Sequence, residues 1–325
     1  MNRLIRLAAA ASFVLALAPS GLATADAQHA IPAYSGPGPR LDVPESLLAD
    51  ALKCPKVLDQ KVVLLVHGTS VTAEENWGWN YVLALPHFGF DVCTVLLPDR
   101  ELSDIQMSSE YVVYAIRAIH ARTGQPLDVV GLSQGALQPR WAIKWWPDIE
   151  HDLDDYVSMA GTNHGALFGD LDCVYDCPPA LWQQTEHSHF LAALNRGDES
   201  PGEVSYTSVY SLTDDIIQPA FPDPVAAIKG ASNVAVQDVC PGRYVGHVQS
   251  ASDAAYFGVV LDALTHVGPA DPSRVDRDLC TRTFMPYVDP ATAVRRTAEV
   301  YVYAGVVQSE HAKTTSEPPL RSYAR

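Results

Sequence analysis

A pentapeptide of the form Gly-x-Ser-x-Gly constrains this chain more than any other feature. It occupies residues 131–135, directly after the apolar run 127–130, and a helix-compatible stretch begins at Ala136. A serine on a sharp strand-to-helix turn has its hydroxyl exposed at the end of a parallel sheet, and the small glycines permit the tight turn. The pattern therefore predicts a nucleophilic Ser133. An ordinary strand-to-helix turn is the alternative.

Runs of β-branched and other apolar residues alternate with helical patterns along the chain. The clearest helix is predicted at 105–121, where an apolar stripe ends before Gly124. Strands that alternate with helices predict an α/β fold with a mostly parallel sheet, helices on both faces and a site at the carboxyl ends of the strands. The predicted strands are 62–67, 90–97, 127–132, 156–160, 206–212 and 233–239.

The N-terminus has the features of an export signal. Arg3 and Arg6 precede an apolar run at 7–18, which is too short to span a bilayer, and Ala25-Asp26-Ala27 suits signal peptidase. We predict a signal peptide at 1–27 and a secreted mature chain from Gln28 that forms one domain. Cleavage after Ala25 is the alternative. No later segment resembles a transmembrane helix.

The 325 residues carry a formal net charge of −16. The signal contains two arginines and one aspartate, so the mature chain carries −16 − 2 + 1 = −17. This charge disfavours nucleic acids and anionic membranes as partners. The chain lacks an HExxH motif, a P-loop and a dinucleotide fingerprint, so we expect no cofactor. We also expect a monomer.

Six cysteines lie in the mature chain, and an even count in an exported protein predicts three disulfides among fifteen formal pairings. Cys54 with Cys93 is the first choice, since these residues flank or lie in adjacent predicted strands. Cys173 and Cys177 would close a tight surface loop. A metal or calcium site is the alternative there, because aspartates occur at positions 170, 172 and 176.

A serine nucleophile needs a histidine base and an acid. In hydrolases with a Gly-x-Ser-x-Gly turn, these residues occur along the chain in the order serine, acid, histidine. The predicted strand 206–212 delivers Asp214 and Asp215 at its carboxyl end, and spacing alone permits either. His247 lies in a Gly-flanked loop typical of a catalytic histidine. His266 ends a helical run, where it would contact helix carbonyls, and the later His311 lies in a polar segment.

The developing oxyanion needs two backbone N–H donors. One is expected from Gln134, the residue after the nucleophile, and the other from Thr69 in the loop after the strand 62–67. The Thr69 hydroxyl would add a third donor. His67 precedes the nucleophile in the chain and is expected to be a packed, hydrogen-bonded loop residue.

With these residues placed, the chain resembles secreted α/β-hydrolase lipases of the Candida antarctica lipase B type over about residues 47–287. The resemblance implies an α/β-hydrolase fold, Asp214 as the catalytic acid and His247 as the base. It also implies that Ile216 and Ile217 flank the substrate channel, that Gln184 lines the acyl side, and that Cys54–Cys93 and Cys240–Cys280 are bridges. The matching blocks are 64–69, 110–116, 132–135, 182–185 and 210–219.

The chain departs from this family at several positions. Leu132 replaces a tryptophan that shapes the alcohol pocket, and Thr162 replaces an acidic pocket residue. The segment near 166–180, in the place of the family's short mobile lid, differs in sequence. A C-terminal helical segment before Met285 is missing, which would widen the acyl channel. The last residues, from about Ser309, are polar enough to form a mobile tail.

We interpret the chain as a secreted serine lipase that cleaves lipid esters, with an oil–water interface as one setting. The alternative hydrolase is a carboxylesterase or cutinase-like polyester hydrolase acting on short or polymeric esters. A serine peptidase would use the same triad. A noncatalytic binding protein on this scaffold would have lost a triad member or an oxyanion donor, and the sequence retains all of them.

Overall fold

The computed structural model describes residues 38–325, so the predicted signal peptide lies outside the described residues. Its centre is a seven-stranded sheet with the order β1-β3-β2-β4-β5-β6-β7, in which β1 runs antiparallel to β3 and every other neighbouring pair is parallel. The strands are β1 (Leu52–Lys53), β2 (Lys61–Val66), β3 (Phe90–Val95), β4 (Leu127–Leu132), β5 (Leu153–Met159), β6 (Ser205–Tyr210) and β7 (Ser232–Ala235).

Helices connect the strands and cover both faces of the sheet. Among the helices at 38–325, none combines the length and the apolar character that a membrane crossing needs. The helices are α1 (Glu45–Ala51), α2 (Ala73–Trp77), α3 (Tyr81–Ala84), α4 (Ile105–Thr123), α5 (Leu137–Trp145), α6 (Leu167–Asp172), α7 (Pro179–Trp182), α8 (His189–Asn195), α9 (Val236–Val239), α10 (Ala254–Thr265) and α11 (Pro290–Glu310).

Strand β2 shows why the central strands are apolar without interruption. Val62, Leu64 and Val66 belong to one hydrophobic cluster, whereas Val63 and Leu65 belong to a second. Successive side chains of a strand point to opposite faces, so these clusters are the two cores on either side of the sheet. The predicted α/β-hydrolase class, with a mostly parallel sheet between two helical layers, is confirmed.

One predicted strand is partly wrong. The apolar run 233–239 forms β7 only as far as Ala235, and its last four residues form the helical turn α9. The carboxylate of Asp238 accepts the N–H of Ala235 at 3.0 Å, which stabilises the start of that turn. The valines in this run remain buried, so an apolar pattern alone could not separate the two structures.

The C-terminal residues, which we expected to be a mobile tail, pack against the body of the protein. Thr314 exchanges two backbone hydrogen bonds with Cys177, at 2.9 and 3.1 Å. The carboxylate of Glu317 accepts the N–H groups of His189 and Phe190, and Ala324 is fully buried. Composition did not reveal these contacts because they use backbone groups and a carboxylate at the start of α8.

Candidate active site

The Gly-x-Ser-x-Gly motif forms a strained turn between β4 and α5. Ser133 has a φ of 58°, in the left-handed region that non-glycine residues rarely adopt. A side chain on Gly131 would collide with the carbonyl of Gly135, and a Cβ on Gly135 would lie 2.5 Å from the carbonyl oxygens of Val66 and His67. The glycines therefore allow the turn to close tightly against the end of β2.

Three side chains from different elements meet at this turn. His247, in the loop after α9, has Nε2 3.0 Å from the hydroxyl oxygen of Ser133. Its Nδ1 lies 3.0 Å from a carboxylate oxygen of Asp214, which follows β6. With Nδ1 protonated and bonded to the carboxylate, Nε2 is free to accept the hydroxyl proton of Ser133.

The same contacts favour a charged pair when His247 takes up a proton. Burial opposes the charged imidazole, but the charge and hydrogen bond of Asp214 and the charge of Asp215 together raise the pKa of His247. Burial also opposes ionisation of Asp214, yet His247 and the N–H groups of Ile216 and Ile217 lower the pKa of its carboxyl. Those N–H groups lie 2.8 and 2.7 Å from Asp214 Oδ1.

The other candidate acid and the other candidate histidines lie outside the contacts that join Ser133, His247 and Asp214. Asp215 does not contact the imidazole ring but accepts the backbone N–H of His247 at 2.7 Å. His266 follows α10 and has Nδ1 3.0 Å from the carbonyl oxygen of Asp262. His311 follows α11 and has Nδ1 2.8 Å from the carbonyl oxygen of Ala312. Neither histidine contacts Ser133.

His67 is a buried structural residue. Its Nε2 accepts the N–H of Leu97 at 3.0 Å, so Nδ1 carries the proton and donates to the carbonyl of Gly68 at 2.9 Å. Burial lowers the pKa of His67 to about 4, which keeps the ring neutral. The ring thereby fixes the backbone at the start of the loop that carries Thr69.

Thr69 and Gln134 both lie next to the serine: Gln134 follows it in the chain, and Thr69 lines the same cavity. Within residues 38–325, the backbone N–H groups of Thr69 and Gln134 donate to no protein acceptor. A Cβ on Gly68, which directly precedes Thr69, would lie 3.1 Å from Ser133 Cβ. The loop after β2 therefore runs directly beside the nucleophile. The Thr69 hydroxyl, expected as a third donor, instead donates to the side-chain oxygen of Gln134 at 2.5 Å.

The cavity at the serine is small, about 70 Å³. Of the five residues predicted to contact substrate, only Leu132 lines it. Thr162 and Gln184 are fully buried beneath Gln134, where Gln184 donates to the Gln134 side chain at 2.7 Å and accepts the Thr162 hydroxyl at 3.1 Å. The cavity is also lined by Thr69, Val71, Glu75, Asn76, Trp79, Val248, Ala251 and Val300.

Ile216 and Ile217 lie outside this lining and pack in a separate small cluster. Buried Ile217 contacts Ala166 and Ala226, and half-buried Ile216 packs against that cluster. Their backbone N–H groups, rather than their side chains, contact the site. A channel role for the two isoleucines therefore remains a prediction.

Helix α11, which follows Met285 and was not predicted from the sequence, extends along the site. The segment expected to be missing lies before Met285, so α11 does not test that expectation, which stays a prediction. A second cavity of about 300 Å³ lies between α11 and the loop after β2, and Val71, Glu75 and Val300 line both cavities. Sequence reasoning missed Trp79 and Val300 because neither lies in a recognisable motif.

Three disulfides use all six cysteines. They join Cys54 to Cys93, Cys173 to Cys177 and Cys240 to Cys280, the three pairs that we predicted. The described residues contain no group of three or more histidine, cysteine, aspartate or glutamate side chains arranged to hold a metal ion. The Cys173–Cys177 bridge lies between α6 and α7, in the segment expected to replace the family's lid.

Comparison with known proteins gives the family. Residues 60–240 match the model of class 2 lipases. This chain belongs to the class 2 lipase family. It is 30% identical over 301 residues to lipase B of Pseudozyma antarctica, covering 90% of this chain and 88% of that protein.

Solved structures agree with this assignment. The crystal structure of Aspergillus fumigatus lipase B has a TM-score of 0.84 and 31% identity, covering 91% of this chain and 76% of that one. A Bacillus licheniformis lipase in its propeptide form has a TM-score of 0.54 at 15% identity, covering 68% and 54% of the two chains, and shows a shared fold alone. The present lipase is thus a carboxylic ester hydrolase on an α/β-hydrolase fold.

Proposed function

We propose that this lipase is an exported serine hydrolase in which Ser133, His247 and Asp214 form the catalytic triad. The single observation that carries the proposal is the pair of 3.0 Å contacts that place His247 between the other two residues. The predicted signal at 1–27 and the three disulfides support export to an oxidising compartment. We propose that the enzyme acts as a monomer on lipid esters, including those at an oil–water interface.

Each step of the proposed reaction balances protons and charge. His247 Nε2 takes the hydroxyl proton as Ser133 Oγ bonds to the ester carbonyl carbon, and the carbonyl oxygen becomes an oxyanion. The N–H groups of Thr69 and Gln134 stabilise that oxyanion, and each such donor is worth about 10²–10³ in rate. The imidazolium returns the proton to the departing alcohol. Water then cleaves the acyl-enzyme by the same steps and regenerates the serine.

A short-chain esterase is the second candidate, and the small cavity at Ser133 favours it. A volume of about 70 Å³ is well below the roughly 300–1,000 Å³ of typical ligand pockets. The neighbouring 300 Å³ cavity would accommodate a longer substrate if both form one site.

Hydrolysis of two substrates by the mature protein tests both candidates. A soluble butyrate ester and emulsified triolein are compared, with Ser133→Ala as the blank. Turnover of both esters that disappears in Ser133→Ala supports the lipase, whereas turnover of the butyrate alone supports the short-chain esterase. Equal hydrolysis by wild type and Ser133→Ala would contradict the triad.

A further inference from the structure

Three consecutive residues beside the active site have a left-handed backbone. Asp99, Arg100 and Glu101 have φ values of 50°, 54° and 59° within the short helical turn Pro98–Glu101. None of them is glycine, and such conformations persist only where the surrounding structure enforces them. The turn contacts both segments that supply the proposed oxyanion donors.

On one side, Arg100 holds the segment that follows Thr69. Its backbone carbonyl accepts the N–H of Ser70 at 2.7 Å, and its guanidinium donates to the Ser70 carbonyl at 3.3 Å. The guanidinium also binds both carboxylate oxygens of Glu75, at 2.5 and 3.1 Å. Ser70 is thus fixed through both of its backbone polar groups, directly after Thr69.

On the other side, Glu101 holds the side chain of Gln134. Only 1% of Glu101 is exposed, and its Oε2 accepts the amide N–H of Gln134 at 2.6 Å and that of Gln138. Because the Gln134 amide nitrogen donates to Glu101, its oxygen faces the opposite way. There it accepts the Thr69 hydroxyl and the Gln184 amide.

We propose that Glu101 is a positioning residue for the oxyanion hole, and that the left-handed turn at 99–101 braces Thr69 and Gln134 at a fixed separation. This inference rests on the proposed function, in which the N–H groups of those two residues bind the oxyanion. Glu101 touches no substrate. It acts by orienting the Gln134 amide, which in turn anchors Thr69.

A pair of Glu101 variants separates positioning from charge. Glu101→Met removes the acceptor, and we expect kcat to fall about tenfold with KM within about twofold, because the donors act mainly in the transition state. Glu101→Gln keeps an acceptor oxygen and the side-chain length. Since burial raises the pKa of Glu101 to about 8, the neutral amide resembles the carboxyl at pH 7, and we expect kcat within about twofold of wild type.

Gln138→Leu is the matched control for damage to the buried network. Gln138 donates to the same Glu101 oxygen, but its side chain makes no hydrogen bond to Thr69 or Gln134. We expect this variant to lower Tm while kcat stays within about twofold. Each kcat is divided by the concentration of sites titrated with a fluorophosphonate, so that unfolded protein does not count as lost catalysis.

Several results would overturn the inference. The positioning role is wrong if Glu101→Met keeps the wild-type kcat, or if it raises KM without lowering kcat. It is also wrong if Glu101→Gln or Gln138→Leu loses as much kcat as Glu101→Met. If Glu101→Met fails to fold, Arg100→Met tests the other side of the turn, because that side chain is partly exposed. A three- to fivefold loss of kcat is expected, and an unchanged kcat overturns the proposal.

Ser133→Ala distinguishes this inference from the proposed function. An active Ser133→Ala would show that the triad itself is wrong. An inactive Ser133→Ala together with a fully active Glu101→Met would reject only the positioning role.

Discussion

Tyr301 donates its phenolic hydroxyl to the carboxylate of Asp215, with oxygen–oxygen distances of 2.8 and 3.0 Å. Asp215 in turn accepts the backbone N–H of His247 at 2.7 Å. Helix α11, of whose residues only Ala293 is buried, is thereby joined to the loop that carries the proposed base. A largely exposed helix thus contributes to the position of the proposed base.

Removing this hydroxyl should slow the reaction. We expect Tyr301→Phe to lower kcat about three- to tenfold, because a hydrogen bond contributes about 0.5–1.5 kcal/mol and each 1.36 kcal/mol is a factor of ten in rate. Steady-state kinetics on a soluble butyrate ester measures the effect. Tyr244→Phe, at an exposed tyrosine three residues before His247, is the control and should behave as wild type. Equal kcat values in all three proteins would refute the link.

Removing the charge of Asp215 should change the pH dependence. Burial lowers the pKa of His247, and the charges of Asp214 and Asp215 raise it. Asp215→Asn keeps an acceptor oxygen but removes one charge, so the pKa of His247 should fall. Because the base must be neutral, the acid limb of the kcat/KM profile should move to lower pH. Asp50→Asn, on the exposed face of α1, should leave the limb in place. An unmoved or raised limb in Asp215→Asn would contradict the assignment.

Much of this site followed from the sequence because its parts are local. The turn at Ser133 needs only a strand, two glycines and a helix, and His247 lies in a loop with recognisable glycines. The choice between Asp214 and Asp215 came from the family resemblance, since both aspartates follow the same strand. In the structure Asp214 contacts the His247 ring, whereas Asp215 accepts the backbone N–H of His247.

The remaining features depend on contacts between distant segments. Glu101 is adjacent in sequence to charged, surface-like residues, and only the left-handed turn carries its carboxylate into the interior. Trp79 and Val300 are 221 positions apart yet line the same cavity. Residue patterns report local periodicity, and they carry little information about such pairings.

A buried carboxylate pair at the opposite end of the sheet should make stability depend on pH. Burial raises the pKa of Asp155 to about 8 and that of Asp128 to about 7, although Lys61 lies 2.8 Å from Asp128 and 3.8 Å from Asp155. An aspartate in an unfolded chain has a pKa of about 3.9, so the folded state binds more protons between these values. The free energy of unfolding should therefore fall as pH rises from about 4 to 8.

Asp155→Asn tests this dependence. Its amide mimics the protonated acid, so the variant should gain stability relative to wild type at pH 8 and show a smaller gain at pH 4.5. Urea unfolding at both pH values measures the difference. Asp50→Asn, on the exposed face of α1 and away from Lys61, is the control and should show no such contrast. A larger gain at pH 4.5 than at pH 8 would reverse the predicted sign.

The three disulfides should contribute unequally to stability. Cys54–Cys93 and Cys240–Cys280 join residues 39 and 40 positions apart, whereas Cys173–Cys177 joins residues four apart. Loop-closure entropy predicts losses of about 4 kcal/mol for either long-range bridge and about 2 kcal/mol for the short one on replacement by paired serines. Denaturant unfolding of the three double variants gives the order. A greater loss for the Cys173–Cys177 pair would contradict this account.

Covalent labelling with a fluorophosphonate tests the central claim most directly. The reagent bonds to a serine oxygen only when a neighbouring base activates the hydroxyl. We predict a single adduct on the folded protein, mapped by peptide mass spectrometry to Ser133, absent in Ser133→Ala and at least a hundredfold slower in His247→Ala. An adduct at another serine, or labelling of Ser133 at the same rate in His247→Ala, would contradict the triad.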